Sequence, residues 1–218
     1  MKTMSRMLLA VRRRAADMFA DCRGIAATEF AVIVPIMLVL FFGTVEFSSG
    51  VAVDRKVTLI ARTLSDLTSQ GPQTSPNSVS ATIDDTYLTN VFTASMKIMT
   101  GYPLVPTKAT ITEIYVDSNQ VAKVQWSKAA VISSEASLQA TLVASTRNAG
   151  DIVTTLVPNK LLVKQTYLIL SEVSYLYVPT IGYVMTSAVN LADVAYTRPR
   201  LATCVIYNNV PASTCPTP

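Results

Sequence analysis

Hydrophobic and polar positions change their rhythm four times along this chain. From Ile25 to Val45 the sequence IAATEFAVIVPIMLVLFFGTV is apolar at nearly every position. Its 21 residues span about 31 Å as a helix, the thickness of a bilayer's hydrocarbon core. From Val53 the apolar residues become periodic: Val53, Val57, Ile60, Leu64 and Leu67 follow one helical stripe, with Asp54, Arg55, Lys56, Arg62 and Asp66 off it. The two stretches predict one continuous helix over 25–69, with the first half in a membrane and the second covering a soluble domain. Ser69-Gln70-Gly71-Pro72 ends it, and 69–78 reads as a loop.

Beyond the loop, an imperfect face of Val79, Ile83, Tyr87, Val91 and Met96 predicts a second helix over 79–99, capped by Asn77 or Ser78 and closed by Gly101-Tyr102-Pro103. The period then shortens to two. Lys108–Val116 and Val121–Trp126 predict a hairpin, with Ala122, Val124 and Trp126 on one face. Residues 131–150 are ambiguous. Asp151 suits the cap of a short helix ending at Val157-Pro158. Leu161–Val178 is apolar on both faces and predicts a doubly covered central strand, and Val189–Tyr196 a last strand. The expected fold is α+β: a long helix against a small antiparallel sheet of about four strands, with extra helices.

Charge sharpens the division. Residues 1–24 hold six basic side chains against Asp17 and Asp21, whereas the remainder holds twelve of each sign. The basic excess therefore belongs to a leader and gives no reason to expect nucleic-acid binding. An arginine-rich leader before the apolar run places the N-terminus in the cytoplasm and the domain outside. A cleaved secretory signal is the competing reading, but its apolar region is about 7–15 residues and ends at small residues. Here the small-residue exit, Ser48-Ser49-Gly50, lies beyond Glu46 and Phe47.

The sequence contains no histidine, which removes Ser-His-Asp and Cys-His catalysis and histidine-based metal sites. No Ser-x-x-Lys occurs, and the seven glycines form no phosphate-binding pattern. Asp84-Asp85 read as solvated helix residues. Tyr167, Tyr175, Tyr177 and Tyr183 could form a stacking platform, but strand and subunit-contact roles explain them more simply. The thin, scattered acidic residues suit no metal cage. A non-enzymatic protein without cofactor or metal is expected.

Glu29 stands inside the apolar run, five residues after Gly24. A carboxylate costs roughly 2.5–3.5 kcal/mol at a bilayer centre and less near its edge. The segment RGIAATEF resembles the class III signal of type IV pilin-like proteins, and RGIAATEFAVIVPIMLVLFFGTVEFS resembles the N-terminal motif of TadE-like proteins of the tight adherence (Tad, Flp-type) pilus. The shared pattern is a Gly, small residues, Glu-Phe-Ala, the mid-helix Pro35, and Gly-x-x-Glu-Phe ending at Glu46-Phe47. Thr28 departs slightly from it. Weaker echoes are Ser171-Glu172-Val173-Ser174-Tyr175-Leu176-Tyr177 and Tyr196-Thr197-Arg198-Pro199-Arg200.

The resemblance implies a division into a leader (1–24), a long helix (25–69, transmembrane over 25–45) and an exported α+β domain (70–218). It implies cleavage between Gly24 and Ile25 by a prepilin peptidase, with Glu29, Pro35 and Glu46 serving assembly and register among other pilin-like subunits in a hetero-oligomer. The protein would be a pseudopilin or minor pilin-like component in the bacterial inner membrane with a periplasmic domain. Such cleavage would remove Cys22 with the leader and leave an even pair, Cys204 and Cys215, in an oxidising compartment, where a disulfide between them is expected and two free thiols are the alternative. An uncleaved, single-pass anchored envelope protein with a partner-binding domain is the alternative, and a membrane-tethered enzyme a third.

Overall fold

The computed structural model describes residues 24–73, 78–179, 187–208 and 215. Helix α1, Ile25–Ser69, carries both the apolar run and the striped segment without a break. By its internal contacts the chain divides into two units, with the boundary after Phe47.

In the first unit, the most apolar 18-residue stretch of α1 has a mean hydropathy of 2.4 and no buried residue. Pro35 lies inside the helix and has no N–H to give to the preceding turn. Thr28 and Thr44 turn their hydroxyls back onto the carbonyls of Ile25 and Leu40, each at 2.8 Å, so neither presents an unsatisfied donor.

In the second unit the stripe of α1 becomes core. Val53, Val57, Ile60, Ala61 and Leu64 are buried in one cluster with Ile111, Ile169, Val173 and Phe92. Each large side chain removed from water in this way contributes about 1.5–3 kcal/mol. Five strands form an antiparallel sheet: β2 (Thr107–Val116), β3 (Ala122–Ile132), β4 (Ala140–Ala144), β5 (Thr166–Tyr177) and β6 (Val189–Thr197), in the order β4-β3-β2-β5-β6. The hairpin β2–β3 and the doubly covered β5 follow the sequence pattern. Ile169 and Val173 face the α1 cluster, whereas Leu168 and Leu170 join Ile114, Val124, Val153 and Val157 in a second cluster.

Several local expectations are corrected. Ser80–Ile83 is a strand, β1, and helix α2 is only Asp85–Met96, extended by one 3-10 turn over Lys97–Met99. Asp84 is its N-cap, accepting the Tyr87 N–H at 2.7 Å. A short acceptor beside free N–H groups starts the helix there rather than at Ser78. Asn77 lies outside the described residues. Strand β6 is not the last: β7, Cys204–Tyr207, pairs in parallel with β1 as a separate two-stranded ribbon.

Ala122, Val124 and Trp126 do not share a face. The β2–β3 register slips at Glu113/Ile114, pairing Glu113 with Trp126 and Ile114 with Val124. Gln125 is the extra residue of this bulge, so Trp126 enters the α1 cluster while Ala122 and Val124 enter the other. Asp151 caps no helix: its carboxylate accepts the Asn148 N–H at 2.7 Å, and the strand-like bridge of Ile152 to Lys123 leads the chain back along β3.

Candidate functional site

The residues expected to serve processing and assembly lie along the first unit of α1. Gly24 is exposed just ahead of the helix, and a Cβ there would meet nothing within 4 Å. Ile25 opens the helix and is 53% exposed. Glu29 is exposed one turn further on, about 6 Å along the axis. Pro35 follows at mid-run, and Glu46 is buried at 3% exposure. Gly24, Ile25 and Glu29 are thus contiguous; Pro35 and Glu46 lie further along the same helix and do not join them.

A second constellation holds the sheet to the other half of α1. Ser171 on β5 is fully buried and donates its hydroxyl to the Ala61 carbonyl at 2.7 Å. Thr197 on β6 bonds Ser65 at 3.0 Å through their hydroxyls. The Arg200 guanidinium pairs with Asp66 at 2.7 Å, and its backbone N–H reaches the Ser69 carbonyl at 2.9 Å, closing the C-terminal end of the helix. Tyr196 donates to the Leu156 carbonyl on the loop covering the other face. Arg147 clasps Glu172 through both nitrogens, and that hydrogen bond holds the guanidinium more firmly charged. The two downstream echoes noted in the sequence are therefore the segments that dock onto α1 and brace the sheet. Tyr175 and Tyr177 point into the α1 cluster and Tyr167 into a small cluster with Cys204 and Ile206, all buried, so they form no stacking platform. Tyr183 lies outside the described residues.

Of the third constellation, sequence reasoning gave only the Cys204–Cys215 disulfide, which the structure contains. Glu113 on β2 is 2% exposed. Its carboxyl accepts the Val205 N–H at 2.6 Å and the Trp126 indole N–H at 2.9 Å, and the same indole reaches the Val205 carbonyl at 2.6 Å. Burial pushes the carboxyl up to about 8, against the pull of these two donors. The neighbouring Cys204 is bonded to Cys215, with an S–S distance of 2.03 Å. One carboxyl and one indole thus fasten β7 over the bulged hairpin, and the disulfide ties Cys215 to β7. The signal was present: Glu113 falls in the inward phase of β2, two positions after Ile111 and four after Ala109. Asp85 is not simply solvated either, since Tyr207 donates its hydroxyl to it.

Comparison with known proteins decides which constellation carries the family character. The model of the family described as TadE-like protein matches residues 24–64. This segment is TadE-like. It opens at Gly24 and runs through the apolar half of α1 into the buried stripe, ending at Leu64. The apolar half fits a single-pass membrane anchor of the TadE-like kind. No curated protein and no solved structure matches the chain.

Proposed function

We propose that this protein is a pseudopilin or minor pilin-like component of Tad pilus assembly, working by association rather than catalysis. The carrying observation is that the TadE-like match opens at Gly24, one residue before α1 begins, with Glu29 one turn inside. In this reading a prepilin peptidase removes residues 1–24 on the cytoplasmic side of the inner membrane, and the helix stays in place. Cleavage creates a charged α-amino group on Ile25. Glu29 lies close enough to pair with that amine or with a neighbour's when helices bundle, and such a desolvated pair fixes register. Pro35 loosens one turn of the helix within the bilayer. The domain beyond residue 69 is periplasmic, and its partners are other pilin-like subunits in a hetero-oligomeric assembly. No metal, cofactor or nucleic acid takes part.

The test separates processing from assembly. In cells carrying the peptidase, the mature protein is expected to begin at Ile25 by intact mass. Gly24→Val should block processing. Glu29→Ala should leave the cut largely intact but abolish co-purification with other pilus components, since removing one member of a buried ion pair costs about 3–5 kcal/mol. Retention of residues 1–24 in wild-type protein would favour the uncleaved, membrane-anchored reading instead.

A further inference from the structure

The two edges of the five-stranded sheet are finished differently. Strand β4 is five residues long, and α2 closes over its start, where the Ala140 N–H meets the Thr93 hydroxyl at 3.0 Å. Strand β6 is nine residues long, about 30 Å of backbone, and among the described residues it pairs only with β5. An unpaired edge of this length is a template for another strand unless it is blocked.

Beside it lies a groove of about 540 Å³ between Arg62, Thr63, Ser65 and Asp66 of α1 and the 194–200 segment. Its floor is hydroxyl-rich, and the Ser65–Thr197 bond is internal to it. Arg200 is neutralised by Asp66. Arg62 is exposed and has no ion-pair partner among the described residues, so the groove keeps one uncompensated cation. Asn190, Ala192 and Val194 are the exposed positions of β6, and no charge or proline among them blocks the edge.

We infer that this groove is the docking site for an extended acidic segment of a partner protein, which adds a strand to β6 and sets a carboxylate on Arg62. Backbone pairing supplies the affinity and the cation selects the side-chain sign. A second copy of this chain fits less well. Antiparallel pairing of β6 with itself about its middle residue would oppose Asp193 to Asp193, and like charges directly across strands repel. The inference does not depend on removal of residues 1–24.

The experiment uses the full chain in detergent micelles and two capped nine-residue probes: one alternating Val/Thr with Glu, the other with Lys in place of Glu. The Glu probe should bind saturably by fluorescence anisotropy and slow amide exchange within 189–197. Arg62→Glu should weaken that binding at least tenfold, and Arg62→Gln should weaken it less, both with unchanged thermal melts. The inference is overturned by no binding of the Glu probe at millimolar concentration, by equal binding of the Lys probe, by protection mapped away from β6, or by indifference to Arg62→Glu. Protection of 189–197 that grows with protein concentration alone would assign the edge to a second copy and also overturn it.

Discussion

The two halves of α1 are equally helical and oppositely used. Over 48–69 most apolar residues are sorted to one side: Val57, Ile60 and Leu64 are fully buried, while Arg55 and Arg62 stay outside and Leu59 is an exposed exception. Before Phe47 there is no sorting. Phe30 and Leu40 are 69% and 65% exposed on different sides, and the charged side chains of that half are Glu29 and Glu46 alone. A stripe answers a core that lies in one direction, whereas uniform apolarity answers a solvent that is apolar in every direction. The arrangement of hydrophobicity, more than its amount, tells which half serves the domain and which the bilayer.

The sharpest way to break this comparison is to truncate matched side chains in the two halves. Ile60→Ala should cost the domain about 2–5 kcal/mol, because it removes fully buried methyl groups and leaves a cavity. Leu40→Ala should shift the same unfolding transition by less than about 0.5 kcal/mol. Denaturant titration of the full chain in detergent, read from the single Trp126, measures both. Equal losses would mean that the apolar half also serves the domain core.

Next in size is the disulfide. Cys204 and Cys215 are eleven residues apart, and closing a loop of that length stabilises by roughly 3 kcal/mol in the chain-entropy model. The double variant Cys204→Ser/Cys215→Ser should lose about that amount from the domain transition while membrane insertion stays unchanged. A loss of insertion would show the two regions to be coupled in folding.

Glu113 gives the domain a pH dependence of its own. Its carboxyl titrates near 8 in the fold against 4.5 in a free chain. Between those values the folded state keeps a proton that the unfolded chain has released. Stability is therefore fullest below pH 4.5 and falls as pH rises through 8. Tyr115, Tyr167, Lys128 and Asp85 also line the β7 side, and burial moves the Tyr167 hydroxyl further above its ordinary range. Glu113→Gln should flatten the slope between pH 5 and 8.5 in urea titrations. An unchanged slope would place the responsible proton elsewhere.

How much of this was readable before the fold depended on whether a signal was local. The 25–69 helix, its stripe and the hairpin were visible because periodicity alone specifies them. The β7 strand was not: Cys204-Val205-Ile206-Tyr207 is too short to show a period, and its parallel partner β1 lies more than a hundred residues away. The same partner turned Ser80–Ile83 from expected helix into strand, a case of tertiary pairing overriding a local pattern. The Gln125 bulge defeated the simple alternation around Trp126. At the candidate site, Gly24, Ile25 and Glu29 stand out because the pattern they form is written within six residues, and their role is the one proposed above. The docking contacts of Ser171, Thr197 and Arg200 appeared only as weak echoes of the family resemblance, since their partners Ala61, Ser65 and Asp66 are far away in sequence.

The smallest effect tests whether such an echo signifies stability at all. Arg200 pairs with Asp66 at the end of the striped half, but their side chains are 59% and 39% exposed. Solvent screens a pair this open, and side-chain ordering offsets most of the remaining attraction, so its coupling should be about 0.2–1 kcal/mol. A double-mutant cycle with Asp66→Asn and Arg200→Gln measures it without disturbing the Arg200 N–H bond to Ser69. The coupling should shrink further in molar salt. Position, not energy, would then be the pair's contribution: it fixes where the chain leaving β6 crosses the last turn of α1, beside Arg62. A coupling above about 2 kcal/mol would mean that the ion pair is shielded in solution, and that the striped half of α1 is held by charge as well as by its buried face.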